Sequence, residues 1–378
     1  MTLEDIKKSR TLDELLSLDG IDEFPDTYGQ KTHIERYKEL RKKFENYPVE
    51  MGAMQAAFQD WKSTIFEVAC IEDKKMREDK LLELYENDPI VFLNRHDASH
   101  TKKVMERALE LMKCFSQIEF SKYEIYFLMC AIIVHDVGNL YGRMGHEKNI
   151  STILDTECTS IIPDSIERRT ISRIAGVHGG KIHGNADTIA FLKREADVNK
   201  FKIKEQVLAS ILRFADELAD DASRANYEAL NSGILDNNTS KIYHIYSEKL
   251  HTVSLQKNKF TEDYEVFLAY QFDSNTAQIL FDKGGQKTYL LDEIYARTIK
   301  MERERRYCIR YLRPYCSLER INVEIVIVKS TFDEMRIAYP LEEKGYPARP
   351  VSSIKDIRED IPNGEELITR LEGTTCHK

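Results

Sequence analysis

The sequence has no apolar run long enough to cross a bilayer. Its longest, 126–134, is about half of the ~20 residues that a spanning helix needs. Residues 1–10 are polar and charged, without the apolar stretch that a secretory signal carries. There is no Cys-x-x-Cys pair. The seven cysteines (Cys70, Cys114, Cys130, Cys158, Cys308, Cys316 and Cys376) are odd in number and scattered. That pattern fits reduced cytoplasmic thiols better than a disulfide framework or a structural zinc site. An excess of basic charge is also missing: the formal net charge is −9, which speaks against nonspecific binding to a nucleic-acid backbone. No internal repeat, low-complexity tract, P-loop, Gly-x-Gly-x-x-Gly or Ser-His-Asp order is present. What remains is a cytoplasmic chain with no membrane partner. Its 42% hydrophobic residues suffice for a core, and its 378 residues predict about two domains.

The pattern along the chain predicts a mainly α fold: a helical bundle with a helical lead-in and a smaller C-terminal α+β domain. Residues 1–90 read as a charged helical region that packs on the next domain; Trp61, Ile65, Phe66, Val68 and Ala69 are helically spaced within 60–85. Residues 91–235 keep a period close to 3.6 and read as all-α. Val104, Ala108, Leu111, Met112 and Phe115 mark a first helix there. A second spans 123–137, stopped by Gly138, and a third begins near His146. A fourth spans 164–177 and a fifth 204–222. Residues 236–345 read as α+β, with strands at 241–247, 251–256, 264–272, 276–281 and 321–328. Within them a charged helix covers 290–312, ended by Pro314; its arginines with Tyr295, Tyr307 and Tyr311 could form a nucleic-acid stripe, but Glu302, Glu304 and the net charge favour a solvated or interdomain face. The tail 346–378 reads as loop plus one short terminal helix.

One doublet stands out. His135-Asp136 closes the apolar run 126–134, and an unpaired buried carboxylate costs several kcal/mol or is forced to protonate. A bound cation removes that problem, because Asp and neutral His are both good ligands for divalent metals. Other helices direct similar groups inward. His100 shares the stripe of Val104 and Ala108, and Asp216 follows the apolar stretch 211–215. His178 is four residues after Ile174, and His146 opens an amphipathic helix. A lone histidine on an apolar face is usually a satisfied core residue. In a chain with ten histidines, this convergence points to a shared site instead. His96 and His183 are read as ordinary loop histidines, and Asp220 and Asp221 as helix-capping or solvent-facing.

These residues resemble a known family. His100-Thr101-Lys102-Lys103-Val104, His135-Asp136-Val137-Gly138 and Ala215-Asp216-Glu217-Leu218 are similar to the H…HD…D signature of the HD-domain metal-dependent phosphohydrolases, over roughly residues 90–230. The resemblance implies that His100, His135, Asp136 and Asp216 ligate one divalent metal ion. His146 and His178 stand where two-metal members carry two further histidines, with Asp136 as the bridge. Such mixed ligands suit Mn, Fe, Co, Ni or Zn better than an all-oxygen Mg site. Three features depart from named subgroups: Asn139 stands where many two-metal members have Lys, no Gly-Tyr-Pro loop follows His178, and the Glu-Asp of guanosine tetraphosphate hydrolases is missing. An HD bundle with an appended α+β region is also similar to a subgroup of bacterial conflict and signalling proteins.

The chemistry implied is hydrolysis, by a metal-activated water, of a phosphoester or phosphoanhydride in a nucleotide or cyclic nucleotide. His135 and Asp136 would be catalytic. Arg213, Arg224 and Lys181 are candidates for holding phosphate, since a guanidinium binds it bidentately. Two alternatives belong to other classes: a nucleotide-sensing module that keeps the metal without turnover, which Asn139 leaves open, and an HD nuclease on single-stranded nucleic acid, which the acidic balance disfavours. The C-terminal domain is expected to shape specificity or to mediate homo-oligomerisation.

Overall fold

The structure is a computed structural model that describes residues 1–18, 24, 31–45, 73, 75–76, 98–141, 145–231, 233, 235, 240–283, 285–330, 333–343 and 352–373. It divides into two compact units. The first comprises Met1–Gln59, His96–Ala219 and Tyr307–Ser317, and the second comprises Asp60–Arg95, Asp220–Arg306 and Leu318–Lys378. The expected lead-in segment 60–85 lies almost wholly outside the described residues.

In the first unit the helices are α1 (Leu3–Lys8), α2 (Leu12–Leu16), α3 (His33–Glu45), α4 (Ala98–Lys113), α5 (Lys122–Val134), α6 (His146–Glu157), α7 (Ser165–Gly176) and α8 (Glu205–Leu218). All 13 residues of α5 are buried, and α2, α3, α4, α7 and α8 pack against it. Burial on every side explains why this helix reads as one apolar run rather than a stripe. Each of its Leu, Ile and Phe side chains contributes roughly 1.5–3 kcal/mol of transfer free energy. Ser121 and Glu124 form a capping box at its N-terminus, and Glu124 also pairs with Lys204 at 3.1 Å. The lead-in helix α3 is tied to the core by His33 Nε2, 2.7 Å from Glu167. Tyr123 donates to the same carboxylate at 2.8 Å.

The expectation of an all-α region is corrected here. Residues β1 (Ala196–Val198) and β2 (Phe201–Ile203) form an antiparallel hairpin. Its turn places Asn199 and Lys200 at φ 48° and 72°, the left-handed pair that tight hairpin turns require. Three-residue strands are too short to leave a visible alternation.

The second unit holds α9 (Tyr227–Asn231), α10 (Lys241–Lys249), β3 (Leu250–Lys257), β4 (Tyr264–Asp273), α11 (Ser274–Ala277), β5 (Leu280–Lys283), β6 (Gln286–Tyr289), α12 (Leu290–Leu312), β7 (Leu318–Ser330), β8 (Asp333–Glu342) and α13 (Gly364–Gly373); the last turns of α12 count with the first unit. The four-stranded sheet runs β3-β4-β7-β8, antiparallel except for the parallel β4–β7 pair. Its register places Val266 beside Ile321 and Leu268 beside Val323, with Leu341 and Tyr339 next across. These six side chains are buried on one face.

Two further expectations are corrected in this unit. Residues 241–247 form a helix, not a strand: Ile242, Ile245 and Tyr246 are buried, a helical spacing hidden under β-branched and aromatic composition. Residues 274–277 are also helical, because the Asp273 side chain caps them by accepting from the Thr276 N–H at 2.8 Å; strand β5 begins only at Leu280. The described residues are mainly helical, as expected, with several small sheets. Among the described residues, no helix is long and apolar enough to cross a membrane.

Candidate metal centre

The centre gathers where three helices of the first unit end. His135 is the C-cap of α5, Val177 is the C-cap of α7 with His178 next, and Asp216 lies in the last turn of α8. Helix C-termini carry partial negative charge, which favours a cation. His100 comes from the first turn of α4 and His146 opens α6.

Gly138 makes the approach of α6 feasible. A Cβ there would overlap the carbonyl oxygen of His146, so only glycine lets α6 begin directly against the loop that follows His135-Asp136. Gly180, at φ +66°, performs the same service for Glu147, whose carboxylate occupies the space a Cβ would need.

The two oxygens of Asp136 face different histidines. Oδ2 lies 3.2 Å from His135 Nε2 and 3.8 Å from His100 Nε2. Oδ1 lies 3.2 Å from His146 Nε2 and 3.8 Å from His178 Nε2. Asp216 Oδ1 stands 3.0 Å from His100 Nε2 and 3.7 Å from His135 Nε2. The ligand atoms of His100, His135 and Asp136 form one close group, and those of Asp136, His146 and His178 a second.

The donor set fits a divalent cation. Nδ1 of His135 is 2.7 Å from the Ile132 carbonyl, and Nδ1 of His178 is 2.7 Å from the Ala175 carbonyl. A carbonyl only accepts, so each Nδ1 carries the proton, and in the neutral ring the Nε2 lone pair faces the cluster. Nδ1 of His146 is held likewise by Glu147 Oε2 at 3.2 Å. Nε2 of His146 and Nε2 of His178 then confront each other at 3.1 Å, beside a carboxylate. Lone pairs crowded together in this way favour a positive charge among them. His135 Nε2 is buried with no hydrogen-bond partner.

The electrostatics agree. Burial opposes charge on Asp216, but His100 and His135 outweigh it and hold the carboxyl well below the usual range. Burial also opposes charge on His135, yet Asp136 and Asp216 raise it well above the ordinary histidine value. The field that holds a proton there attracts a divalent cation in its place. Burial, and next the His135 charge, lower His178 to about 4, which keeps that ring neutral and its lone pair available.

All six expected ligands thus come together. The expected phosphate holders are spread more widely. Lys181 is exposed in the loop after His178. Arg213 donates to the Val177 carbonyl at 3.2 Å and to Thr188 Oγ1 at 3.0 Å. Arg224 belongs to the second unit, where its charge helps to lower the pKa of Asp220. Asp221 caps a turn by accepting from the Ser223 N–H at 3.0 Å, as expected, whereas Asp220 pairs with Arg297 at 2.9 Å.

Two contacts escape a reading of the sequence. Asn139 donates to Asp136 Oδ1 at 3.2 Å, and Glu147 orients His146. The paired glycines at 179–180 were the one available signal for Glu147, since a glycine often marks a close approach.

Comparison with known proteins supplies the family. The HD-CE family model matches residues 82–298, more than half of the chain. The chain belongs to the HD-CE family. No curated protein and no solved structure matches it. For this HD-CE protein, the His and Asp clusters are compatible with divalent metal binding.

Proposed function

We propose that this HD-CE protein is a metal-dependent phosphohydrolase that cleaves a phosphoester or phosphoanhydride of a nucleotide or cyclic nucleotide, with two divalent ions sharing Asp136. The division of the Asp136 oxygens between two histidine pairs carries the reading. His100, His135, Asp136 and Asp216 would hold the first ion, and Asp136, His146 and His178 the second. When bound, such ions lower the pKa of water toward neutrality and offset charge on phosphoryl oxygens.

The protein's own groups supply orientation. Asn139 keeps Asp136 Oδ1 turned toward His146 by its hydrogen bond of 3.2 Å. Glu147 keeps the His146 lone pair aimed inward. The Asp136 and Asp216 side chains are 14% and 26% exposed, while His100 and His135 are 1% exposed, so substrate enters from the carboxylate side. Lys181, exposed in the loop beyond His178, would hold an incoming phosphate.

The test is a screen of nucleotides and cyclic nucleotides with Mn²⁺, with products separated by ion exchange. Release of phosphate, diphosphate or an opened cyclic phosphodiester is expected, and its loss in the His135→Ala, Asp136→Ala double variant. Turnover that survives the double variant sinks the assignment. Tight nucleotide binding without product favours a sensor, and product from oligonucleotides alone favours a nuclease.

A further inference from the structure

Arg213 lies three residues before Asp216 on α8, yet its guanidinium is turned toward a different ligand's backbone. Nη1 donates to the Val177 carbonyl at 3.2 Å and to Thr188 Oγ1 at 3.0 Å. The Thr188 hydroxyl donates to that same carbonyl at 2.9 Å. The guanidinium also lies over the Tyr307 ring, 4.6 Å from its centroid. The Tyr307 hydroxyl in turn accepts from the Ile189 N–H at 2.8 Å. Val177 is the residue immediately before His178.

Beyond His178 the chain forms a loop, residues 179–188. It opens with Gly179 and Gly180, the second at φ +66°, and holds itself by the Ile182–Asn185 bridge. The Ala175 carbonyl fixes the His178 ring through Nδ1 at 2.7 Å, and a brace on the adjoining backbone points its lone pair more steadily at a cation. Both ends of the loop, Val177 and Thr188–Ile189, meet Arg213 and Tyr307.

We infer that Arg213, backed by Tyr307, is a positioning residue that aims His178 and thereby sets the affinity of the second ion. The inference rests on the two-ion reading above. It assigns Arg213 to the protein's own backbone instead of to a substrate phosphate, and it couples the two sites through one helix: α8 gives Asp216 to the first and braces a ligand of the second.

The test uses the full chain, stripped with a chelator and titrated with Mn²⁺ by calorimetry, with bound metal counted by elemental analysis. Wild type takes two ions. Arg213→Gln keeps the first with little change and binds the second about 10–100-fold more weakly. Tyr307→Phe, which keeps the ring but loses the acceptor for Ile189, shifts the second ion in the same direction by a smaller factor. A general loss of structure would weaken both ions together and lower the melting temperature, so a selective effect marks positioning. If Arg213→Gln does not fold, Tyr307→Phe decides. Wild type and variants taking two ions with equal affinities overturn this inference alone. Wild type taking a single ion overturns it together with the two-ion reading.

Discussion

Asp136 presents one oxygen to His100 and His135 and the other to His146 and His178. Asp136→Asn should therefore weaken both ions, whereas His146→Ala should remove the second and spare the first; equilibrium dialysis against Mn²⁺ distinguishes the two patterns. A second expectation concerns Gly180. Alanine there meets the Glu147 carboxylate at φ +66°, so Gly180→Ala should cost about 1–3 kcal/mol in urea unfolding; unchanged stability would mean that Glu147 does not fill that space. The six expected ligand residues stood out because each sits on, or at the end of, an apolar helical stretch, where a His or Asp is conspicuous. The bond from Asn139 to Asp136, the part of Glu147 and the partners of Arg213 did not, because they depend on the paths of the loops after His135-Asp136 and His178. Those paths are set by glycines whose effect is visible only in three dimensions.

At the scale of elements, α5 places His135 through its own ending, and its start is held by the Ser121–Glu124 capping box. Ser121→Ala should lower stability by about 1 kcal/mol, read from the urea midpoint, while metal content stays unchanged. Helices α4, α6, α7 and α8 were readable from their apolar period, and α5 from its unbroken apolar run. The helix at 241–249 was not, because Tyr and Ile suit a strand as well as a helix and only burial on one face decides. Asp220 was misplaced for a related reason: its half-buried partner Arg297 is 77 residues away in sequence. Burial opposes the Asp220 charge, but Arg297 and Arg224 hold its pKa below the usual range. A depressed folded-state pKa means that its contribution is present above the unfolded value of ~3.9 and fades as pH falls through the folded value. Asp220→Asn should accordingly cost roughly 1.5–3 kcal/mol at neutral pH, toward the low end because Arg297 also pairs with Glu293 at 2.8 Å. The gap between variant and wild type should narrow below about pH 4. A gap that widens in acid would contradict the pairing.

For the whole molecule, the chain order and the compact units do not coincide: residues 307–317 belong with the HD helices, although they lie far downstream. Sequence periodicity marks helices but carries no information on which distant segment covers them, so the part played by Tyr307 was hidden within a charged helix. The central claim is that one carboxylate joins two histidine pairs into a two-ion centre. Anomalous diffraction from crystals of the full chain soaked in Mn²⁺ tests it most directly. Two anomalous peaks, one on each side of the Asp136 carboxylate, are the predicted result. No peak at Asp136, or a single ion with His146 and His178 turned away, would contradict the account.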